Sequence, residues 1–482
     1  MNPVQIESKI EHIDDFTAII YPFGLMKVPV TLFLSRKIKV ESEALMQIAD
    51  AASIDSDSFV FATPDIHTGY GVPIGSILAS PNIISPSAVG YDINCGMRLL
   101  KTPFLIKDIN TKRLAEAIFS LIPAGEGKKN LELSGTELKL VLNSGLESMS
   151  CILPRFNLAA DSSDFELLAL DIEGAEDKGQ LNGDWEALPA RAMERGMPQM
   201  GTLGGGNHFI EVQEVTEIFN EKIARAFGLF KNQAVVMLHS GSRGLGHETA
   251  GYYIKKAKNY LARNGIRPPN GQLLYFFKES KEADQYLKAM NAAANYAFAN
   301  RQVMTMLIRK AFKKTMGKDS ALQIKTLYDV THNMAKKETF NGKSYFVHRK
   351  GATRAFDSEH MKGTPFEKTG QPILIPGSMG TASYILAGTE GSKRSFYSVN
   401  HGAGRAMSRK QAAGKKGCEG AISDREFHSA MKNIFLLCEN KRRIKEEAPQ
   451  AYKDIDAVIE TVIGAGLAET VAKIQPVAVI KG

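Results

Sequence analysis

The sequence predicts one large α+β domain with a central cleft, spanning residues 1–482. Three observations lead there. Short apolar runs with strand character end repeatedly in glycine-rich loops that carry polar side chains. Asp284 to Met316 has a sustained helical period, so helix and strand are both present. No tandem repeat or low-complexity tract divides the chain. Length alone would suggest about two to four domains. A hydrophobic content of 44% with 23% charged residues is ordinary for a folded protein.

Phe16 to Ile20 and Val28 to Phe33 have strand character, and Ser42 to Ala52 has a helical period. Phe59-Val60-Phe61-Ala62 reads as a buried strand running into Thr63-Pro64-Asp65-Ile66-His67-Thr68-Gly69. The proline and glycines there should end the strand and leave Asp65 and His67 on a loop. Val72 to Ala79 is strand-like, and Ala88-Val89 is a short apolar run entering a turn between Gly90 and Gly96. Lys112 to Ile122 is an amphipathic helix. Residues 123–200 are the least patterned and read as an insertion or mobile flap within the domain. Ala234 to Leu238 is a buried strand delivering His239, and Leu327 to His332 brings a further histidine. In the long helical stretch Leu287, Met290, Ala294, Ala297, Met304, Ile308 and Phe312 fall close to one face, and Gly317 is placed to stop it. Tyr345 to Arg354 reads as a strand entering a basic turn. Beyond Arg409 the chain reads as mostly helical and basic, up to a tail P-V-A-V-I-K-G.

A net charge of +8 permits a polyanionic partner without requiring one. The four cysteines, Cys95, Cys151, Cys418 and Cys438, form no C-x-x-C pair, which excludes a zinc ribbon and a thioredoxin motif. Sparse, unpaired cysteines suit a reducing compartment. The N-terminal stretch has no signal-peptide core, and no apolar run is long enough to cross a bilayer. A cytoplasmic enzyme or binding protein without membrane contact is the expected class.

The chemistry is densest from Ser87 to Leu99, S-A-V-G-Y-D-I-N-C-G-M-R-L. Turns at Gly90 and Gly96 free the backbone from strand alternation, so Asp92 and Cys95 can face one spot. A carboxylate and a thiol aimed together call for a cation, and both ligate metal when deprotonated. For an isolated Asp-x-x-Cys the plainer reading is better: a buried structural cysteine beside a turn-forming aspartate. The histidines shift the balance. His12, His360 and His428 sit in polar or helical surroundings and read as surface residues. His208, His239, His332 and His401 each end or follow an apolar stretch. A ligand role for any one of them alone has odds of about one in five, but four in equivalent settings beside Asp92 and Cys95 favour a polynuclear metal site. Such a set would suit two divalent ions about 3.5–4 Å apart. Imidazole and thiolate suit zinc, and carboxylate suits manganese, so spacing leaves both metals open.

Consecutive backbone N–H groups in glycine-rich turns can cradle anions. G-S-R-G-L-G after His239, P-G-S-M-G from Pro376 and H-G-A-G-R from His401 are candidates, though none is a Walker A loop or a Rossmann fingerprint. With Arg243, Arg349, Lys350, Arg354, Arg405 and Arg409 nearby in sequence, phosphate handling is the leading reading. For two or three of those basic residues a solvated surface position is the plainer account.

The motifs D-I-N-C-G, G-G-G-N-H-F-I-E, H-S-G-S-R-G-L-G-H, H-N-M-A, H-R-K-G-A-T-R, P-G-S-M-G-T and N-H-G-A-G-R-A-M-S-R occur in that order. In this the chain resembles the RtcB family of RNA-splicing ligases over nearly its whole length, down to the terminal V-I-K-G. The resemblance implies the family's own α+β fold, with a metal- and nucleotide-binding cleft. It implies GTP and two Mn2+ ions, used to join RNA ending in a 2′,3′-cyclic phosphate or 3′-phosphate to RNA with a 5′-hydroxyl, in transfer-RNA splicing or RNA repair. By resemblance Asp92, Cys95, His208, His239 and His332 hold the manganese, with Cys95 as the bridge. His401 matches the guanylylated histidine, and Asp65 the carboxylate that orients it. Asn207, His208, Phe209, Ile210, Glu211, His332, Asn333, Pro376, Gly377, Ser378, Met379, Ser383, His401, Gly402, Ala403, Gly404, Tyr452 and Lys481 match nucleotide contacts. Whether an archease-type activator is needed as a partner, and which RNA is joined, stay open. The alternatives are a two-metal phosphohydrolase or nuclease acting on RNA ends, which needs no N-H-G-A-G-R motif, and a non-catalytic RNA-binding protein with a structural metal.

Overall fold

The computed structural model describes residues 4–415, 418–440 and 443–482; the side chain of Cys418 lies outside the described set. The chain forms two large sheets with helices around them, so the mixed α and β character expected from sequence is present. The first sheet has seven strands, in the order Ile10–His12, Thr17–Ile20, Val30–Phe33, Phe59–His67, Ile74–Ser80, Lys343–Lys350 and Asn333–Phe340. The second has eight. Its path runs Lys325–Thr331, Gly96–Leu105, Gln233–Ser240, Phe209–Ile218, Ala468–Lys481, Ser383–Gly388 and Pro372–Ile375, and Phe435–Cys438 pairs with the C-terminal strand. The chain passes between the sheets twice near one place. It does so from Ile74–Ser80 to Gly96–Leu105, and from Lys325–Thr331 through His332 to Asn333–Phe340.

Strand alternation explains the layers. In Gln233–Ser240, Ala234, Val236 and Leu238 join the main core beneath the long helix, while Val235 and Met237 join a second core on the opposite face. A third core forms where Phe61, Ile77 and Val347 of the first sheet meet Ile375 and Leu386 of the second.

The long helix spans Lys281–Met316. Ser280 caps it by accepting the Ala283 N–H, Glu282 and Asp284 occupy its first turn, and Lys313 and Lys314 its last. Gly317, at φ 100°, ends it as expected. It is not amphipathic in place, because residues 292–309 are buried all round. One side lies under the second sheet and the other under residues 123–200.

Those residues are a packed helical layer and not a flap. Gly135–Ser144, Met149–Arg155, Ser162–Glu173 and Ala190–Gly196 are helices that bury Leu138, Val141, Leu142, Ile152, Leu153 and Leu168 in the main core. Their polar surface in sequence hides an internal anchor. Asp171 is fully buried and accepts from Arg309 Nη1 at 2.7 Å, Arg309 Nη2 at 2.8 Å, Gln302 Nε2 at 2.7 Å and Thr326 Oγ1 at 2.6 Å. Burial acts to raise its pKa, but the Arg309 charge outweighs that and holds it below the ordinary carboxylate value. Asp171→Ala leaves Arg309 buried without its counter-charge and is expected to cost about 3–5 kcal/mol. The thermal midpoint should fall by several degrees, whereas an unchanged midpoint would remove this account of the layer.

Four local expectations are corrected. Asp65 and His67 lie within the strand Phe59–His67, not on a loop. The ladder to Ile74–Ser80 breaks between Ala62 and His67, and that bulge absorbs Pro64. Ala88 ends a short 3-10 turn, Pro86–Ala88, and is not in a strand. The chain's end is not helical: Ala468–Lys481 is a strand inside the second sheet, flanked on both sides. Its alternating burial is the period-2 pattern of a strand. His12 is half-buried, while His360 and His428 are exposed. Among the described residues no helix is long and apolar enough to cross a membrane.

Candidate active site

The two passages between the sheets and two strand ends of the second sheet bring five ligand-type side chains together. Asp92 and Cys95 lie on the turn before Gly96–Leu105, with Asn94 in the left-handed region at φ 53°. His208 precedes the strand Phe209–Ile218, and His239 lies near the end of Gln233–Ser240, the strand between it and Gly96–Leu105, paired with Phe209 and Met97. His332 is the single residue between Lys325–Thr331 and Asn333–Phe340. Cys95 Sγ is 3.3 Å from His208 Nε2 and 3.1 Å from His239 Nε2. His208 Nε2 is 2.8 Å from Asp92 Oδ2, and His239 Nε2 is 3.2 Å from His332 Nε2. The result is a continuous chain of donors, Asp92–His208–Cys95–His239–His332, with the thiol in the middle.

This donor set fits divalent metal. The Leu203 carbonyl can only accept, so the 2.9 Å contact to His208 Nδ1 puts that ring's proton on Nδ1. The bare Nε2 then faces the Asp92 carboxylate, an arrangement that a metal cation between the two lone pairs would satisfy. His332 Nδ1 is buried without a hydrogen-bond partner. Burial and the neighbouring histidines push His239 and His332 far below the usual histidine pKa, which keeps them neutral and able to ligate. Burial acts to raise Asp92, but its contact with His208 outweighs that and keeps Asp92 ionised. Burial and the Asp92 charge push the Cys95 thiol well up; a bound metal would reverse that by taking the thiolate. Gly241 packs against the Asp92 carboxylate so closely that any Cβ there would collide with it.

His401 stands beside this chain, its ring centroid 4.9 Å from that of His332. It follows the short strand Ser398–Asn400. Asp65, fully buried in the bulge, accepts from His401 Nδ1 at 2.7 Å and from Thr63 Oγ1 at 2.6 Å. Burial acts to raise the Asp65 pKa, and its bonds to His401 and Thr63 outweigh that, so it is a carboxylate. With Nδ1–H committed to Asp65, the His401 lone pair is on Nε2. Gly404, at φ +73°, lies so tightly on the Asp65 backbone that no Cβ fits. His67 donates Nδ1–H to the Asp65 carbonyl at 2.8 Å, and burial pushes its pKa down to about 4.

Next to His401 is a pocket of about 230 Å³. Asn207, Phe209, Glu211, Pro376, Gly377, Ser378, Met379, Gly402, Ala403, Gly404, Tyr452 and Lys481 line it, as do His239 and His401. The other expected nucleotide contacts lie behind this wall. Ile210 points the opposite way along its strand, into the main core. Ser383 bonds Gln213 Nε2 at 3.2 Å and the Gly377 N–H at 3.4 Å. Asn333 donates to the Asp92 carbonyl at 3.1 Å and accepts from the Gly351 N–H at 3.0 Å, so it braces the turn that carries Asp92 and Cys95. Sequence reading missed His67 and Glu447 in the lining. His67 sits two residues past Asp65 and could have been found. Glu447 gives no signal, since Glu446 beside it looks the same. Glu447 is nevertheless a hub: Arg409 at 3.1 Å, Arg405 at 3.4 Å, Lys481 at 4.0 Å and the Tyr452 hydroxyl all meet it.

The six basic residues divide in two. Arg405 and Arg409 line the pocket, and Arg243 lies by the donor chain, bonded to Thr202 Oγ1 at 3.2 Å. Arg349, Lys350 and Arg354 are neither phosphate-facing nor solvated. Arg349 is forked onto Glu338 at 2.6 and 2.9 Å, and Arg354 is paired with Asp177 at 3.0 Å. The Lys350 ammonium donates to the Tyr70, Val72 and Ser87 carbonyls, and burial pushes its pKa down to about 7. Strand alternation carried these side chains inward, where internal acceptors satisfy them.

The family model described as tRNA-splicing ligase RtcB matches residues 46–482. The chain belongs to the RtcB family. Every site residue described above lies inside the matched span. Proteins named tRNA-splicing ligase RtcB are similar over almost their full length. The one from Aeropyrum pernix is 39% identical, over 95% of this chain and 96% of its own. That from Thermococcus kodakarensis is 40% identical over 95% of each chain, and that from Nanoarchaeum equitans 40% identical over 99% of this chain and 100% of its own. In RtcB terms, the thiol-centred donor chain and the His401–Asp65 pair share one pocket wall, since His239 and His401 both line it.

Proposed function

We propose that this chain is a GTP- and Mn2+-dependent RNA ligase that joins 3′-phosphate or 2′,3′-cyclic phosphate ends to 5′-hydroxyl ends through a histidine–GMP intermediate. The observation that carries the reading is His401. Its Nδ1 is held by a buried carboxylate and its Nε2 is left as the free lone pair, beside a five-residue donor chain. Membership of the RtcB family supports it.

Asp92, Cys95 and His208 would hold one manganese ion, and Cys95, His239 and His332 a second. When bound, the metal supplies positive charge against the oxygens of a transferring phosphoryl group. His401 Nε2 attacks the α-phosphorus of GTP; the bond to pyrophosphate breaks and a phosphoramidate to GMP forms. Asp65 holds the ring in the reactive tautomer and stabilises the positive charge that develops on it. Water opens a cyclic end to a 3′-phosphate. That phosphate then takes GMP from His401, and the attacking 5′-hydroxyl forms the phosphodiester and releases GMP. Arg243, Arg405 and Arg409 are the cations placed to meet phosphate oxygens. The RNA would be transfer-RNA halves or broken RNA, and the setting cytoplasmic, in keeping with the sparse cysteines.

In the nucleotide pocket, burial pushes Glu211 up to about 8 and pushes Lys481 down, each offset by the other's charge. Their strands are adjacent, with Phe209 opposite Lys481. The guanine would meet this pair. Deleting Lys481 and Gly482 alone is therefore expected to raise the KM for GTP at least tenfold, read by steady-state ligation at varied GTP; an unchanged KM would exclude Lys481 from the pocket's function.

Incubation with α-labelled GTP and Mn2+, followed by a denaturing gel, tests the reaction. An acid-labile, alkali-stable label on the chain is expected. A metal-loaded protein that takes no label once pyrophosphate is removed would point instead to a phosphohydrolase of RNA ends.

A further inference from the structure

The long helix Lys281–Met316 puts Asn300 and Arg301 side by side beneath the donor chain, both with no exposed surface. Arg301 Nη1 donates to the Asn94 carbonyl at 2.9 Å and to the Ser240 carbonyl at 3.1 Å. Its Nε donates to Asp329 Oδ1 at 2.9 Å and Oδ2 at 3.0 Å. Asn94 immediately precedes Cys95, Ser240 immediately follows His239, and Asp329 stands three residues before His332. One guanidinium thus ties the segments of three ligands. The His332 N–H closes the set on the Cys95 carbonyl at 3.0 Å. Arg98 shares Asp329, its Nε donating to Oδ2 at 2.9 Å, so the carboxylate cannot swing away from Arg301.

Asn300 serves the fourth. Its Oδ1 accepts from the Gly201 and Thr202 N–H groups at 2.8 and 3.2 Å, and its Nδ2 donates to the Thr202 carbonyl at 3.1 Å and the Gly241 carbonyl at 3.3 Å. Leu203, next in the chain, carries the carbonyl that orients His208. Apart from the Asp329 carboxylate and the Ser240 hydroxyl, which Asn300 Nδ2 meets at 3.3 Å, each bond is to backbone near a ligand, and none is to a ligand side chain.

We propose that Asn300 and Arg301 are the positioning residues of the metal centre, setting from one rigid helix the spacing of Cys95, His208, His239 and His332. This rests on the reading of those residues as metal ligands. A planar fork can hold two carbonyls and a carboxylate in fixed directions, and a lysine cannot. Partners behind the ligands typically govern metal affinity by about 10–100-fold.

A buried arginine could matter for folding alone, and the helix supplies its own control. Arg309, two turns further on, is also buried and ion-paired, with Asp171, and its backbone partner, the Ile324 carbonyl at 2.9 and 3.0 Å, lies at the far end of the strand from His332. The full chain is prepared as wild type, Arg301→Lys, Asn300→Ala and Arg309→Lys. Each is titrated with Mn2+ by calorimetry and with Co2+ by absorption, which reads thiolate coordination directly. Arg301→Lys should weaken Mn2+ binding about 10–100-fold and lower the thiolate-to-Co2+ band. Asn300→Ala should weaken Mn2+ binding about tenfold, and it answers the question if Arg301→Lys does not fold. Arg309→Lys should melt earlier yet bind both metals as wild type. Wild-type affinity in Arg301→Lys and Asn300→Ala, or an equal loss in Arg309→Lys, would overturn the proposal. A wild-type chain binding neither metal would instead overturn the ligand assignment beneath it.

Discussion

Replacing His401 with alanine is expected to abolish covalent GMP labelling and to lower ligation by on the order of 10⁴-fold or more, the scale of losing a nucleophile. The environment of the ring says why nothing nearby can substitute. His67 also lines the pocket, but its Nδ1 rests on a neutral carbonyl and not on a carboxylate. His239 lines the pocket too, yet its Nε2 is 3.1 Å from Cys95 Sγ and committed to the donor chain. Asp65→Asn separates nucleophile from support. The amide can still reach Nδ1 but cannot stabilise positive charge, and it can hold the wrong tautomer. Labelling by this variant should persist at a rate lowered about 10²–10⁴-fold, with KM for GTP little changed. Rapid-quench labelling distinguishes the two variants. Equal labelling in wild type and His401→Ala would exclude His401 as the attachment point.

The second large effect is at Cys95. Its sulfur lies between His208 and His239 and is the one atom common to both halves of the donor chain. Cys95→Ala should therefore remove both ions together, lowering bound Mn2+ from two per chain to below one and ending ligation. Loss of one small buried side chain costs little stability by comparison, about 1 kcal/mol, so the folded protein can be assayed. Cys151→Ala, at an exposed position on the helical layer, should bind metal normally. A pH effect accompanies this. The thiol's pKa is raised by burial and by Asp92, so at neutral pH metal must displace its proton. Wild-type Mn2+ affinity should then rise with pH below that pKa, by about tenfold per unit for one released proton. Elemental analysis after gel filtration, and titrations at several pH values, read both effects. Two ions retained in Cys95→Ala would show the sulfur is not shared.

The sequence alone was enough to single out the side chains that the fold brings together. Asp92, Cys95, His208, His239, His332 and His401 each sit at the end of an apolar run or in a glycine-flanked turn, and such edges are where a fold exposes polar groups to a pocket. It also determined the long helix, because the period from Asp284 and the stop at Gly317 are local signals, although the cap at Ser280 starts it three residues earlier than that period. Tertiary structure alone decided what those groups meet. Asp65 looked like a loop residue, since Pro64 and the glycines are local; its place in a bulged strand depends on pairing with Ile74–Ser80. Arg349, Lys350 and Arg354 looked like phosphate ligands, yet Glu338 and Asp177, and for Lys350 the carbonyls of Tyr70, Val72 and Ser87, turned them inward. Residues 123–200 looked unanchored because the Arg309 that neutralises Asp171 is 138 positions away along the chain. Charge type and turn chemistry are written residue by residue. Burial and partnership arise only when distant segments pack, and that is where a cation becomes either a ligand for phosphate or a bolt in the core.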